Sequence, residues 1–130
     1  MLEIVIKSSK KDEFIDITFD VQDYLNQNSF KDGMIFLNTL HTTAALTINE
    51  NADADVKTDL VNALNALVPN IKFKHFEGNS DAHLKSSLFG TSLSIPVSNG
   101  KLIRGTWQGI YFCEFDGPRT RKVHLTFLGK

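Results

Sequence analysis

The sequence is short of the residues that staple a chain, carry it across a membrane or give it a strong field. It has one cysteine, Cys113, so no internal disulfide can form and an oxidising compartment is not required. Cys113 ends the apolar run Ile110-Tyr111-Phe112-Cys113, a setting for a buried, inert thiol rather than a nucleophile. No stretch approaches the roughly 20 apolar residues of a membrane-spanning helix. The opening residues MLEIVIKSSKKDE lack the layout of a signal peptide. A cytoplasmic protein with no membrane partner is expected. Excess charge is missing too: 14 basic and 15 acidic side chains leave a net charge of −1. Such a chain has no global attraction for nucleic acid, and none is expected as a partner. The densest basic runs, Lys10-Lys11 and Arg119 to Lys122, fall in expected turns.

What is present is ordinary globular material. A chain of 130 residues, 42% hydrophobic and 22% charged, supports one core and one domain spanning residues 1–130. No repeat or linker interrupts it, and its prolines are only Pro69, Pro96 and Pro118.

Alternation predicts strands over Leu2 to Ile6 and Phe14 to Phe19, with Ser8 to Asp12 as a hairpin turn between them. Asp20 is expected to cap a short helix over Val21 to Gln27. Met34 to Leu37 reads as a buried strand and residues 41–48, HTTAALTI, as another. The main helix follows and ends at Pro69; Val56, Leu60, Ala63, Leu64 and Leu67 mark its expected buried face. Ile71 and Phe73 alternate like a strand. A short helix is expected from Asp81 to Leu88. Asn99-Gly100 between alternating segments signals a hairpin. Pro96 predicts an edge or bulge in its strand. The fold class is α+β, with antiparallel, sandwich-like sheets, one long helix and two short ones.

No GxxxxGKS, GxGxxG, HExxH or GxSxG pattern occurs, so no nucleotide cofactor is expected. Polar residues cluster instead. His41 stands between two strand-like runs, and His75 and His83 bracket a polar segment. Three imidazoles suit a divalent metal such as zinc, with His41, His75 and His83 as ligands. The same rings can equally serve as hydrogen-bonding groups of turns. Asn79, Lys85, Ser86, Ser87 and Arg119 offer amides, hydroxyls and cations for a phosphate. Glu50 and Asp53 are candidates for acid–base work or for Mg²⁺. His124 alternates with apolar neighbours and is expected to face solvent without a role.

Three segments then stand out together: HTTAALTINENAD at 41–53, HFEGNSDAHLKSSLFGTSLSIPV at 75–97 and GTWQGIYFCEFDGPRTRKV at 105–123. In composition and order they resemble the signature blocks of the YjbQ family, also called the secondary thiamine-phosphate synthase family. The resemblance implies a compact α+β domain that assembles as a homotrimer. It also implies a pocket near the subunit boundary and a weak thiamine-phosphate synthase activity, joining a pyrimidine pyrophosphate to a thiazole phosphate. Carried over, it assigns His41, Glu50, Asp53 and Gln108 to catalysis. His75 and His83 match the family histidines with His41; Asn49 and Arg119, from matched blocks that also hold Glu114 and Asp116, join Asn79, Lys85, Ser86 and Ser87, read above from their chemistry, as candidates for the phosphorylated substrate. Ala54 and Arg104 depart from the family pattern, and neither coincides with a proposed functional group.

Overall fold

A computed structural model describes residues 2–130. In chain order the elements are β1 (Leu2–Lys7), β2 (Glu13–Asp16), α1 (Thr18–Gln27), β3 (Gly33–Asn38), β4 (Ala44–Glu50) and α2 (Ala54–Leu67). They continue with α3 (Ser80–Phe89), β5 (Ser92–Ser98), β6 (Lys101–Leu102), β7 (Gln108–Glu114) and β8 (Thr120–Gly129). Two antiparallel sheets result: five strands in the order β1-β8-β3-β5-β6, and three in the order β2-β7-β4. This is the α+β, antiparallel architecture the sequence predicts.

The sheets pack face to face. Ile35, Leu37, Val123 and Leu125 of the larger sheet meet Leu46, Ile110 and Phe112 of the smaller one, and Val21 and Leu25 of α1 join the same core. The far face of the smaller sheet carries Phe14, Tyr111 and Cys113, covered by Leu64 of α2 and Ala82 of α3. The smaller sheet is therefore a middle layer. That explains β7, which is buried at every residue after Gln108: a strand covered on both faces needs no polar side. Cys113 is buried as expected, and burial pushes its thiol up well beyond the usual range.

Several local expectations change once partners are known. Ser8 to Asp12 is not a hairpin turn. β1 pairs with β8 and β2 with β7, so this segment crosses between sheets; alternation fixes a strand's faces, not its neighbour. Helix α1 starts at Thr18, and Asp16 rather than Asp20 holds its start by accepting from the Thr18 amide and hydroxyl. β4 begins at Ala44, leaving His41 to Thr43 in a loop. The stripe on α2 is narrower than its sequence suggests: Leu64 alone is buried and Leu67 is 71% exposed. Ile71 and Phe73 form no strand, because their short alternation meets no free strand edge. The run from Lys101 to Phe115 is split by a turn before Trp107.

Other expectations hold. Asn99 and Gly100 both take positive φ, 55° and 77°, in the β5–β6 hairpin. Pro96 pairs with Met34 on one side only, since β6 reaches no further than Val97.

This packing predicts unequal costs for two leucines. Leu25→Ala should destabilise by about 2–5 kcal/mol through its cavity, whereas Leu67→Ala should stay within about 0.5 kcal/mol. Urea titration of both variants against the parent measures the difference.

Candidate functional site

The candidate site forms where β8 outruns one of its neighbours. β3 pairs with β8 as far as Asn38 opposite His124, then turns away, while β1 continues alongside to Thr120. On the vacated side Lys122 would keep an unpaired amide and carbonyl. The loop after β3 supplies substitutes. The Lys122 N–H donates to His41 Nε2 at 3.1 Å, and the Thr39 hydroxyl donates to the Lys122 carbonyl at 3.2 Å. At this solvent-exposed sheet end the loop gives the Lys122 N–H an imidazole partner in place of water.

Beneath this edge lies a buried ion pair. Glu114, the last residue of β7, is fully buried, and Arg121 of β8 is 4% exposed. Arg121 donates through Nε to Glu114 Oε1 at 2.8 Å and through Nη2 to Oε2 at 2.5 Å. Glu114 also accepts from the Ser8 hydroxyl at 2.7 Å and the Asp116 amide at 3.0 Å. Arg121 Nη2 donates further to the Thr43 hydroxyl at 2.8 Å. Burial by itself would push the Glu114 carboxyl up. The bonds from Arg121 and Ser8, the Asp116 amide and the guanidinium charge outweigh it and hold the carboxyl below its usual range. For His41, burial and the Arg121 charge both disfavour the imidazolium, and His124 and Arg119 add to this. Glu114 opposes only partly, so the ring's pKa lies below its ordinary value.

The 114–119 segment carries the site outward. Arg119 is half exposed and donates through Nε to the Asp116 carbonyl and through Nη2 to its carboxylate, both at 2.8 Å. Asp116 also accepts from Asn79 Nδ2 at 2.9 Å, while Asn79 Oδ1 is buried without a partner. Asn79 heads α3, whose His83 ring lies against His75 with centroids 5.4 Å apart.

The expected residues therefore divide. His41 stands with Arg119, Arg121 and Glu114; Asn79 joins through Asp116. Asn49 and Glu50 lie opposite Gly109 and Gln108, at the far end of β4 from Ala44 and Glu114, roughly 20 Å away by strand rise. There Asp53 caps α2 by accepting the Asp55 amide, and Gln108 Oε1 accepts the Gly105 amide. The residues assigned to catalysis thus fall at opposite ends of β4, His41 before Ala44 and the others beyond Asn49.

Lys85, Ser86 and Ser87 are not free for an anion. Lys85 is 1% exposed and bonds Asp12 and Asn65 at 2.9 and 2.8 Å. Ser86 donates to the Ala44 carbonyl at 2.7 Å and Ser87 to the His83 carbonyl at 3.0 Å. Ala82, Lys85 and Ser86 face inward at helical spacing because α3 lies on the smaller sheet.

The three imidazoles do not form a metal set within one chain. Among the described residues no group of three or more His, Cys, Asp and Glu is placed to hold a metal ion, and His41 Nε2 already accepts an N–H. Among the described residues of one chain the donor set does not fit a bound zinc.

Sequence reasoning passed over Ser8 and Thr39, whose contacts are with residues 111 and 83 positions away; no local pattern marks them. It also misplaced His124, which is 17% exposed, with Nε2 3.7 Å from Glu3 and Nδ1 buried and unpartnered. Its neighbour Glu3 on β1 covers it, which alternation along β8 alone cannot reveal.

The layered antiparallel sheets, with a buried Arg–Glu pair under a histidine-bearing loop at one end, define a small α+β protein with a polar surface site rather than any motif-based enzyme class. The chain belongs to the family described as UPF0047 protein YjbQ-like, whose family model matches residues 2–130. It is 50% identical over 125 residues to a UPF0047 protein of Methanocaldococcus jannaschii, covering 95% of this chain and 91% of that one. It is 49% identical to YugU of Bacillus subtilis over 126 residues, covering 95% and 96%. A crystal structure of a YjbQ/UPF0047 family protein from Clostridium acetobutylicum superposes with a TM-score of 0.94 at 50% identity, covering 98% of this chain and 100% of that one. A YbjQ-like protein of unknown function from Sulfolobus solfataricus gives 0.93 at 32% identity, covering 98% and 95%.

The buried pair sets an acid limit. Because the Glu114 carboxyl is held below its unfolded value of about 4.5, its contribution is fully present above that pH and is lost as pH falls through the lower, folded value. Glu114→Gln should cost about 3–5 kcal/mol at pH 7 and flatten the decline of stability below pH ~4.5. Denaturant titrations of parent and variant from pH 3 to 7 test this; parallel acid limbs would refute it.

Proposed function

We propose that the protein is an enzyme acting on a phosphorylated small molecule. The reaction type implied by its family resemblance is thiamine-phosphate synthesis, in which a pyrimidine pyrophosphate and a thiazole phosphate join and pyrophosphate leaves. The observation that carries this reading is that the half-exposed Arg119 and the buried Arg121 both act by charge on the His41 ring. Arg119 commits Nε and Nη2 to Asp116, and Nη1 has no protein partner among the described residues. It is half exposed, so it can turn a guanidinium edge to a phosphate while Asp116 holds it in place. Cations fixed beforehand stabilise a departing pyrophosphate better than ones that must move into position.

A single chain leaves Glu50, Asp53 and Gln108 at the other end of β4 from His41. We therefore read the active form as the homotrimer that the resemblance implies, with a neighbouring copy supplying the second group of residues. Exposed Val5, Phe36 and Leu128 on strands of the larger sheet support a contact between copies. A divalent metal, zinc or magnesium, is given no step, since the donor set of one chain does not suit it. A second reading, a non-catalytic module that binds a phosphate ester, is favoured by one fact: His41 Nε2 is engaged and so is not available as a base.

Pyrophosphate release from the two thiamine precursors tests the enzyme directly. A phosphate ester at about 100 times its dissociation constant should stabilise the fold by about 2.7 kcal/mol. Arg119→Ala should weaken that binding at least about tenfold, the scale of one hydrogen bond to a charged group. Binding without turnover selects the module. Neither binding nor turnover, in protein shown by ultracentrifugation to be trimeric, removes both readings.

A further inference from the structure

We propose that His41 serves the site as a neutral hydrogen-bond donor, presenting Nδ1–H to a bound oxyanion, and acts neither as a base nor as a metal ligand. The proposal deepens the function given above and rests on it for the identity of the ligand as a phosphate or pyrophosphate. It does not rest on it for the state of the ring.

The argument starts from the sheet edge. The Lys122 amide always carries its proton, so the nitrogen it points to must be an acceptor. That nitrogen is His41 Nε2, at 3.1 Å. A neutral imidazole has one accepting and one donating nitrogen, so the proton sits on Nδ1. The bond is made because β3 has left β8 at this point. Breaking it would hand the Lys122 N–H to water, so the tautomer is selected by one solvent-accessible hydrogen bond at the end of the ladder. Protonating Nε2 would set two N–H groups against each other. Coordinating a metal through Nδ1 would move the proton to Nε2, with the same clash.

The groups around the ring agree. Arg121, paired with Glu114, comes from β8, as does His124; Arg119 comes from the 114–119 segment. Arg121, His124 and Arg119 oppose a positive ring, and Glu114 alone favours one. Lys122, whose amide makes the bond, places its ammonium with Glu3 at 3.3 Å. Among the described residues His41 Nδ1 has no protein partner, and it is not one of the buried unpartnered atoms, Asn79 Oδ1 and His124 Nδ1. A donor thus remains free on a ring that the charge of Arg119 reaches, and Nη1 of that arginine is uncommitted among the described residues. A neutral N–H next to a guanidinium hydrogen-bonds to an anion without adding a second charge that must be neutralised when the anion leaves.

The test combines imidazole nitrogen NMR with calorimetry on the full chain, using inorganic pyrophosphate as the probe. The spectrum should show His41 protonated at Nδ1 and unprotonated at Nε2 near neutral pH. Pyrophosphate should move the Nδ1–H signal. Two variants separate the donor from the structural bond. Asparagine places an N–H₂ near the Nδ1 position, and glutamine places a carbonyl near Nε2. His41→Asn should keep pyrophosphate affinity within a few-fold, while His41→Gln keeps stability but loses about tenfold or more in affinity, the scale of a hydrogen bond to a charged group. An Nε2–H tautomer, or a ring that takes up a proton above its ordinary pKa, overturns the proposal in the free protein whatever the ligand. Pyrophosphate binding that leaves Nδ1–H unmoved and His41→Gln undiminished overturns the donor role. If the parent binds no pyrophosphate, the phosphate-site reading fails and the donor role fails with it, while the spectrum still decides the tautomer.

Discussion

Everything at the candidate end of the molecule depends on the buried pairing of Glu114 with Arg121. The two residues belong to different sheets, β7 in the middle layer and β8 in the outer one, and the chain passes between them through the short 115–119 segment. Burying two charges costs several kcal/mol per ion before compensation. The pair persists because its polar atoms are almost fully used. Two bonds run between the partners, Ser8 and the Asp116 amide complete the carboxylate, and Thr43 takes another guanidinium proton. Satisfying the pair therefore fixes the end of β1, the loop before β4 and the start of the 114–119 segment together. The positions of His41 and Arg119 follow from that constraint.

The second consequence is electrostatic. A cation locked beneath the surface, with its own carboxylate as counter-ion, is a fixed feature of the site rather than a ligand-binding group. It disfavours charge on the imidazole near it and leaves the outer guanidinium of Arg119, held by Asp116, as the accessible cation. The outer residue, held only by Asp116, is suited to meeting a phosphate. The inner one is suited to shaping what lies near it. The phosphate-site expectations for Lys85 and Ser86 illustrate the same division: both are polar groups spent on holding α3 to the rest of the fold, through Asp12 and Asn65 in one case and the Ala44 carbonyl in the other.

Much of the fold could be read along the chain. The apolar run from Ile110 to Cys113 is buried as read, Asn99-Gly100 marked the β5–β6 hairpin, and α3 fell within a residue of its expected ends. These are properties of one segment and its immediate turns. Partner choice was not legible. β1 and β2 read as a hairpin yet belong to different sheets, and the stripe on α2 looked broad until its neighbour was known to touch it along little more than Leu60, Val61 and Leu64. At the site, the blocks around His41 and Glu114 to Arg119 identified chemistry that the fold does gather. His41, His75 and His83 form no metal-holding group among the described residues of one chain, though the latter two rings contact each other.

The sequence by itself determined the class of the domain, most of its strands and helices, and its family, because these follow from short-range periodicity, turn chemistry and ordered blocks of residues. Tertiary structure alone decided which imidazole nitrogen is free, which arginine is buried and which lysine is spent. Those outcomes depend on atoms some 70 to 110 positions apart in the chain. No local pattern encodes such contacts; they exist only once the two sheets have packed and each buried polar group has found its partner.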